Sequence, residues 1–303
     1  MAGEGYQIRT DLALETQERI QKSKKNLRGI GFKEDERKNG ITISTVSIET
    51  ENASKTMGRP KGKYITIEAP QLSEDDTNYH REVSEEFSMV LRELMLEVGE
   101  RISLKVKSGE WSILVVGLGN REVTADALGP RVVDNLFITR HILKEYGTYA
   151  FGNKIVNKIS GIVPGVMAQT GMECVEIIRG IVKETSPDYV ITIDALAARS
   201  TKRLGRTIQL TDTGIVPGSG VGNHRNALNL ESIGVPVISI GVPTVVDAVT
   251  IVSDAVNTNR DVVEDFMSPK LHDMYVTPKD IDDTIKQLSF LISEGLNIAF
   301  SQA

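Results

Sequence analysis

Two aspartates stand where an α/β chain can use them. Asp126 lies in "VVGLGNREVTADALGP", a few residues beyond a run of apolar residues, and Asp194 lies in "YVITIDALAARS", directly after another; each is followed by Ala-Leu. In an open α/β sheet, ligands and reactive groups collect at the carboxyl ends of the strands. If these two strands are neighbours, the carboxylates face each other across a strand-end crevice. Close carboxylates repel when both are ionised, so such a pair tends to hold one proton between them. One member is then a base for a water molecule and the other an acid for a leaving group. That is the minimum equipment for hydrolysing a peptide bond without a covalent intermediate. The competing reading is structural: aspartates at strand ends and helix starts often serve as helix N-caps, and spacing alone leaves both open.

Two glycine-rich stretches flank these positions. "GLGN" contributes Gly117, Gly119 and Asn120. It matches a dinucleotide fingerprint poorly, because the third glycine is missing and no acidic residue ends a second strand about 20 residues on. The glycines read instead as a tight turn that brings Asp126 back over the sheet. "GIVPGSGVGNHRN" contributes Gly218, Gly220, Gly222, Asn223 and His224. Such a loop presents backbone N–H groups to an anion or a polarised carbonyl, or is simply a connection. The "IVPG" at Ile162 and again at Ile215 reads as a reused turn. The four histidines, His80, His141, His224 and His272, form no HxxxH or HxH set. His224 with the two aspartates is the best metal combination on offer, but no metal ligand and no cofactor is assigned. Cys174 and Trp111 read as core, and Asp247 as a helix cap.

The elements that position these residues follow from periodicity. "GITISTVSIET" and "GKYITIEAP" alternate as strands, with turn residues "GRPKGK" between them. Residues 76 to 100 have helical spacing through Val83, Phe87, Val90, Leu91 and Leu94. "WSILVVGLGN" is a continuous apolar run of the kind buried on both faces of a parallel sheet. It leads to one helix through Val132, Val133, Leu136, Phe137, Ile142 and Leu143, with Pro130 in its first turn. Strands "DYVITID", "RTIQLTD" and "PVISIG" follow, the last feeding a helix with Val246, Val249 and Val252. A final helix has Thr277 as N-cap and Pro278 at its first position. The first forty residues read as a helix and a solvated connection. The expectation is α/β: a mostly parallel sheet flanked by helices on both faces, with an additional small β-hairpin and helix region from the N-terminal part.

Composition narrows the partners. The chain has 303 residues, 40% hydrophobic and 25% charged, with a net charge of −6. That balance argues against a broad electrostatic grip on nucleic acid and favours protein or small-molecule partners. A single cysteine, Cys174, rules out an intrachain disulfide framework and fits a reducing, cytoplasmic compartment. No apolar run approaches the roughly 18 residues of a membrane span, and no signal peptide is evident.

The strings "VVGLGNREVTADALGPRVVDNLFITRH", "GIVPGVMAQTGMECVEIIRGIVK", "ITIDALAARS", "GIVPGSGVGN" and "IGVPTVVDAVTIVSDA", in that order, resemble the germination proteases of spore-forming bacteria. The likeness runs from Arg9 to "VTPKD". The stretch from Gly117 to Gly129 also resembles the hydrogenase maturation endopeptidases, with an acidic residue where Asp126 stands.

The first resemblance implies an atypical aspartic endopeptidase that degrades small acid-soluble spore proteins during germination, with Asp126 and Asp194 as its catalytic residues. It implies a zymogen whose propeptide, residues 1–11, is removed at the Asp11-Leu12 bond of "TDLALE". That pattern of acidic, apolar, Ala, any, Glu is similar to the site cut in the spore proteins, which makes the leader a tethered substrate whose local concentration is raised by the tether. Helix capping by Asp11 or Thr10 is the compatible structural alternative. Residues 12–303 are then a single α/β peptidase domain, with an N-terminal β/helix elaboration over about 40–100, acting as a homotetramer in the cytoplasm of the forespore or spore core. Before "LHDMYVTPKD" this chain has only a brief connection where longer members of that family carry an insertion, a difference that bears on assembly and zymogen control. Two other readings remain: a metal-assisted maturation-type endopeptidase of the same fold, and a non-catalytic binding module.

Overall fold

The computed structural model describes residues 10–22, 28–72, 74, 76–105, 110–218, 226–256, 271 and 274–301. Among them, nine strands form one sheet. The N-terminal part supplies helix α1 (Ala13–Lys22), strands β1 (Ile30–Glu36) and β2 (Thr42–Ile48), helix α2 (Glu51–Met57), strand β3 (Gly62–Glu68) and the long helix α3 (Thr77–Arg101). The central part runs through β4 (Ser112–Gly117), α4 (Leu128–Asp134), α5 (Arg140–Tyr146), β5 (Lys158–Ile162), α6 (Met167–Thr170), α7 (Cys174–Thr185) and β6 (Tyr189–Ala198). The C-terminal part holds β7 (Thr207–Thr211), α8 (Leu230–Ile233), β8 (Val237–Asp247), α9 (Ala248–Val256), β9 (Tyr275–Val276) and α10 (Ile281–Ser301).

The sheet order is β1-β2-β3-β7-β8-β6-β4-β5, with β9 added to β8. Strands β5, β4, β6 and β8 are parallel, whereas β1, β2, β3, β7 and β9 all pair antiparallel. The sheet is therefore mixed, which corrects the expectation of a mostly parallel one. Part of the physical reason lies in the strand patterns. "ILVV" and "YVITI" are continuous apolar runs, as strands covered on both faces require, whereas "TISTVSI" and "KYITIE" alternate as half-buried antiparallel strands do; "TIQLT" is buried throughout and takes its direction from its partners.

Other boundaries shift as well. The charged stretch after α1 contains β1, an edge strand whose exposed Lys33, Glu34 and Glu36 discourage pairing with a further chain. The link between β2 and β3 holds α2, capped by the Thr50 hydroxyl on Ala53 N–H. The single helix expected after β4 is two, α4 and α5. Val246 belongs to β8 and not to the helix after it. Helix α10 starts at Ile281, and the Thr277 hydroxyl donates to Thr244 O at 2.9 Å instead of capping. Asp247 does cap its helix, accepting from Thr250 N–H at 3.0 Å.

One face of the sheet packs against α3, α4 and α10 through a core that includes Phe87, Leu91, Met95, Ile113, Ile191, Ile238 and Ile292. The opposite face packs Leu114, Val116 and Val190 against α7, with Cys174 buried among them. Helices α1 and α2 cover the antiparallel wing through Ala13, Ile20, Ala53 and Met57. Asp76 caps α3 by accepting from the Asn78 and Tyr79 N–H groups.

Tyr189 ties β6 to α3: its hydroxyl donates to Met95 O at 2.9 Å, and its ring meets Trp111 edge to face at 5.5 Å. Burial pushes the Tyr189 phenol up to about 12. An unfolded tyrosine ionises near 10, so this contribution to stability is complete below about pH 10 and is lost as pH rises towards 12. The urea midpoint of the parent should therefore fall more steeply between pH 9 and 11.5 than that of Tyr189→Phe. Parallel slopes for the two proteins would contradict this.

Candidate active site

Asp126 and Asp194 are brought to the same end of the sheet because β4 and β6 are adjacent and parallel, with Gly117 opposite Ile193. Beyond that pair the chains diverge. After β4, Leu118 donates its N–H to Ile193 O at 2.8 Å, and the chain turns through Gly119, Asn120 and a short 3-10 turn, Thr124–Asp126. Strand β6 instead continues past Asp194 to Ala198, paired with β8. Asp194 is thus within a strand and not at its end, and it is only 5% exposed.

The turn carrying Asp126 depends on glycine. Gly119 has φ +108°, and a Cβ there would lie 2.0 Å from Asp126 O. Gly117 meets the next helix so closely that its Cβ would lie 2.3 Å from Gly129 O. The sequence expectation that these glycines fold Asp126 back over the sheet agrees with this geometry. Asp126 accepts the Asn120 N–H at 2.7 Å, and the Thr244 hydroxyl on β8 fixes the turn by donating to Ala125 O at 2.7 Å. Asp194 accepts from Ala195 N–H at 2.9 Å. Helix α4 has Ala127 at its N-cap position with no side-chain cap, so neither aspartate occupies a helix N-cap.

Both aspartates line one cavity of about 300 Å³, together with Gly119, Cys174, Gly218 and Thr244. Asp11 lines it too. Of the second glycine loop, Gly218 is at the cavity wall, whereas Gly220, Gly222, Asn223 and His224 lie outside the described residues. Among the described residues no group of three or more His, Cys, Asp or Glu side chains is arranged to hold a metal ion.

The segment around Asp11 is bound in detail. Asp11 N–H donates to Ala197 O at 2.9 Å, and the Asp11 carboxylate accepts the Ala197 N–H at 2.9 Å, so Asp11 docks along the end of β6. Just before it, Thr10 O accepts from the Arg59 guanidinium at 2.8 Å. Leu12 is fully buried against Leu196, Ala198 and Val246. Ala13 N–H donates to Gln209 Oε1 at 2.8 Å. The Glu15 carboxylate accepts from Arg199 N–H at 2.7 Å and Ser200 N–H at 3.0 Å, receives the Thr10 hydroxyl, and lies 3.5 Å from Arg203. Arg203 also pairs with Glu18 and Glu68, and these carboxylates hold its guanidinium pKa above the usual arginine value against the cost of burial. Asp11, Leu12, Ala13 and Glu15 each have a defined place. Sequence reading did not find the partners Gln209, Arg59 and Arg203; the one signal was a glutamine within the strand "TIQLT".

An α/β sheet with carboxylates gathered at a strand-end cavity, and a peptide segment docked against it, is the arrangement of a candidate hydrolytic centre. Residues 8–259 match the family described as germination protease. A germination protease of Caldanaerobacter subterraneus subsp. tengcongensis is 45% identical over 318 aligned positions, covering 96% of this chain and 94% of the relative. One from Clostridium perfringens is 40% identical over 97% of this chain and 95% of its own length. One from Bacillus mycoides is 44% identical over 77% of this chain and 62% of its own length. The chain belongs to the germination protease family and is accordingly a protease of spore germination. No described helix is long and apolar enough to cross a membrane.

Proposed function

We propose that this protease is an aspartate-dependent endopeptidase made as a self-processing zymogen, with Asp126 and Asp194 as its catalytic pair. In this reading residues 1–11 are the propeptide, residues 12–303 the peptidase domain, the Asp11-Leu12 bond the processing site, and small acid-soluble spore proteins the substrates. The reading extends to a homotetramer in the cytoplasm of the forespore or spore core. The observation that carries it is the presence of Asp11, Asp126 and Asp194 on the wall of one cavity. The docking of Leu12, Ala13 and Glu15 beside it adds support, because the cleavage pattern is already held by the chain that would cut it.

The chemistry needs one proton between the two carboxylates. The ionised member takes a proton from water as the water oxygen bonds to the Asp11 carbonyl carbon. The protonated member gives its proton to the Leu12 nitrogen as the C–N bond breaks. With both ionised, repulsion rises and the acid is missing. Mild acidification supplies the missing proton, so processing should accelerate by up to about tenfold per pH unit as pH falls from neutral. Intact-mass time courses between pH 7.5 and 5.5 measure this directly. A rate that stays flat across that range would count against the shared-proton mechanism.

A further inference from the structure

We propose that Gln209 is the group that polarises the scissile carbonyl, a role that rests on the Asp11-Leu12 bond being the one cut. Gln209 lies on β7 and is 6% exposed. Its side-chain Nε2 donates to Asp11 O at 2.9 Å, and its Oε1 accepts from Ala13 N–H at 2.8 Å. One planar amide thus grips the chain on both sides of the bond, with its donor on the carbonyl oxygen that gains negative charge when water adds.

The neighbouring geometry sets how Asp11 is held. Asp11 sits against β6, where its backbone N–H pairs with Ala197 O. The N–H of Ala197 is taken by the Asp11 carboxylate and not by the Asp11 carbonyl. Asp11, with Leu196, Ile215 and Val216, lies in the walls of two chambers. One holds Asp126 and Asp194, and the other, of about 210 Å³, holds Gln209, Arg59 and Tyr64. The acids and the carbonyl donor are therefore in different chambers that share Asp11 in their walls. As water oxygen bonds to the carbonyl carbon, the C=O electrons move onto oxygen, where a buried, fixed N–H stabilises them more strongly than it does the neutral carbonyl. They return when the C–N bond breaks and the Leu12 nitrogen takes its proton. A preorganised donor of this kind is worth about 10²–10³ in rate.

The test compares the full-length parent chain with Gln209→Ala and Gln209→Glu, following cleavage of the Asp11-Leu12 bond by intact mass from pH 7.5 to 5. Thermal unfolding confirms that each variant is folded. Gln209→Ala should process about 10²–10³ times more slowly than the parent at every pH. Gln209→Glu separates carbonyl activation from anchoring. An ionised glutamate still accepts the Ala13 N–H but cannot donate to Asp11 O, whereas a protonated one can do both. Among the described residues, Asp11 and Arg59 are the charged side chains lining the chamber it would share, with the Tyr64 phenol beside them. The rate of Gln209→Glu relative to the parent should be about 10²-fold low at pH 7.5 and recover as pH falls. If Gln209→Glu matches the parent at pH 7.5, or a folded Gln209→Ala processes within about threefold of it, Gln209 is only an anchor and the inference is overturned while the protease reading stands. If the parent itself does not cut after Asp11 at any pH, both fall together.

Discussion

Asp194→Asn and Asp126→Asn are each expected to slow cleavage of the Asp11-Leu12 bond by at least about 10³-fold, with the melting temperature unchanged or raised. The size follows from the proposed division of labour, in which the ionised carboxylate takes a proton from the water and the protonated one gives its proton to the leaving nitrogen. Removing either carboxylate removes the pair, so the double variant should be no slower than the slower single one. The stability half of the expectation comes from position. Asp194 is 5% exposed within β6, and Asp126 sits in a turn before Ala127, the N-cap position of α4. Neither caps a helix, so the loss of about 0.5–2 kcal/mol that follows removal of a cap is not expected. Both carboxylates line a confined cavity, where replacing a charge with a neutral amide removes mutual repulsion. Thermal unfolding and intact mass on the same preparations test both halves. A variant that loses about 1–2 kcal/mol while still processing at the parental rate would assign its aspartate to structure.

Gly119→Ala should be nearly as damaging to activity, and for the opposite reason it should also cost stability. Any L-residue at φ +108° is strained, and the added methyl would sit 2.0 Å from Asp126 O and 3.1 Å from Asp126 Oδ1. Backbone atoms on both sides must move, and the turn they would distort is held by Asn120 N–H on Asp126 and by Thr244 on Ala125. A destabilisation of about 2 kcal/mol or more is expected, with at least a roughly 10²-fold slower processing rate because a displacement of about 1 Å at a reacting group is enough for that. Chemical denaturation gives the first number and intact-mass kinetics the second. A stable Gly119→Ala that processes normally would show that the position of Asp126 is not what the turn protects.

Asp126 and Asp194 stand out in the sequence because continuous apolar runs, a glycine turn and an aspartate are all local features, although β6 runs on past Asp194 to Ala198. Facing carboxylates require β4 beside β6, and the two strands are indeed neighbours. Pairing direction was less accessible. "RTIQLTD" looks like one more strand in an alternating series, and only its partners, β3 and β8, make it antiparallel. The edge strand β1 was hidden because its exposed face is charged, which is what an edge needs and also what a solvated loop looks like. The break between α4 and α5 spans Asn135 to Thr139, where Thr139 donates its hydroxyl to Asn157 O at 2.6 Å, a contact 18 residues away that no helical spacing encodes. The same holds at the site. Gln209 is 198 positions from the carbonyl it meets, and Glu15 finds its amide partners at Arg199 and Ser200. Local pattern reveals groups that carry chemistry; their partners across the sheet are set by topology.

The most direct test of the account is the intact mass of the full-length chain after incubation at mildly acidic pH, beside Asp126→Asn and Asp194→Asn under the same conditions. The parent alone should lose residues 1–11, leaving a chain that begins at Leu12, while both variants keep their full mass. Removal of the same eleven residues from either folded variant at the parental rate, or an intact parent throughout, would contradict the proposal that these two aspartates make the chain its own first substrate.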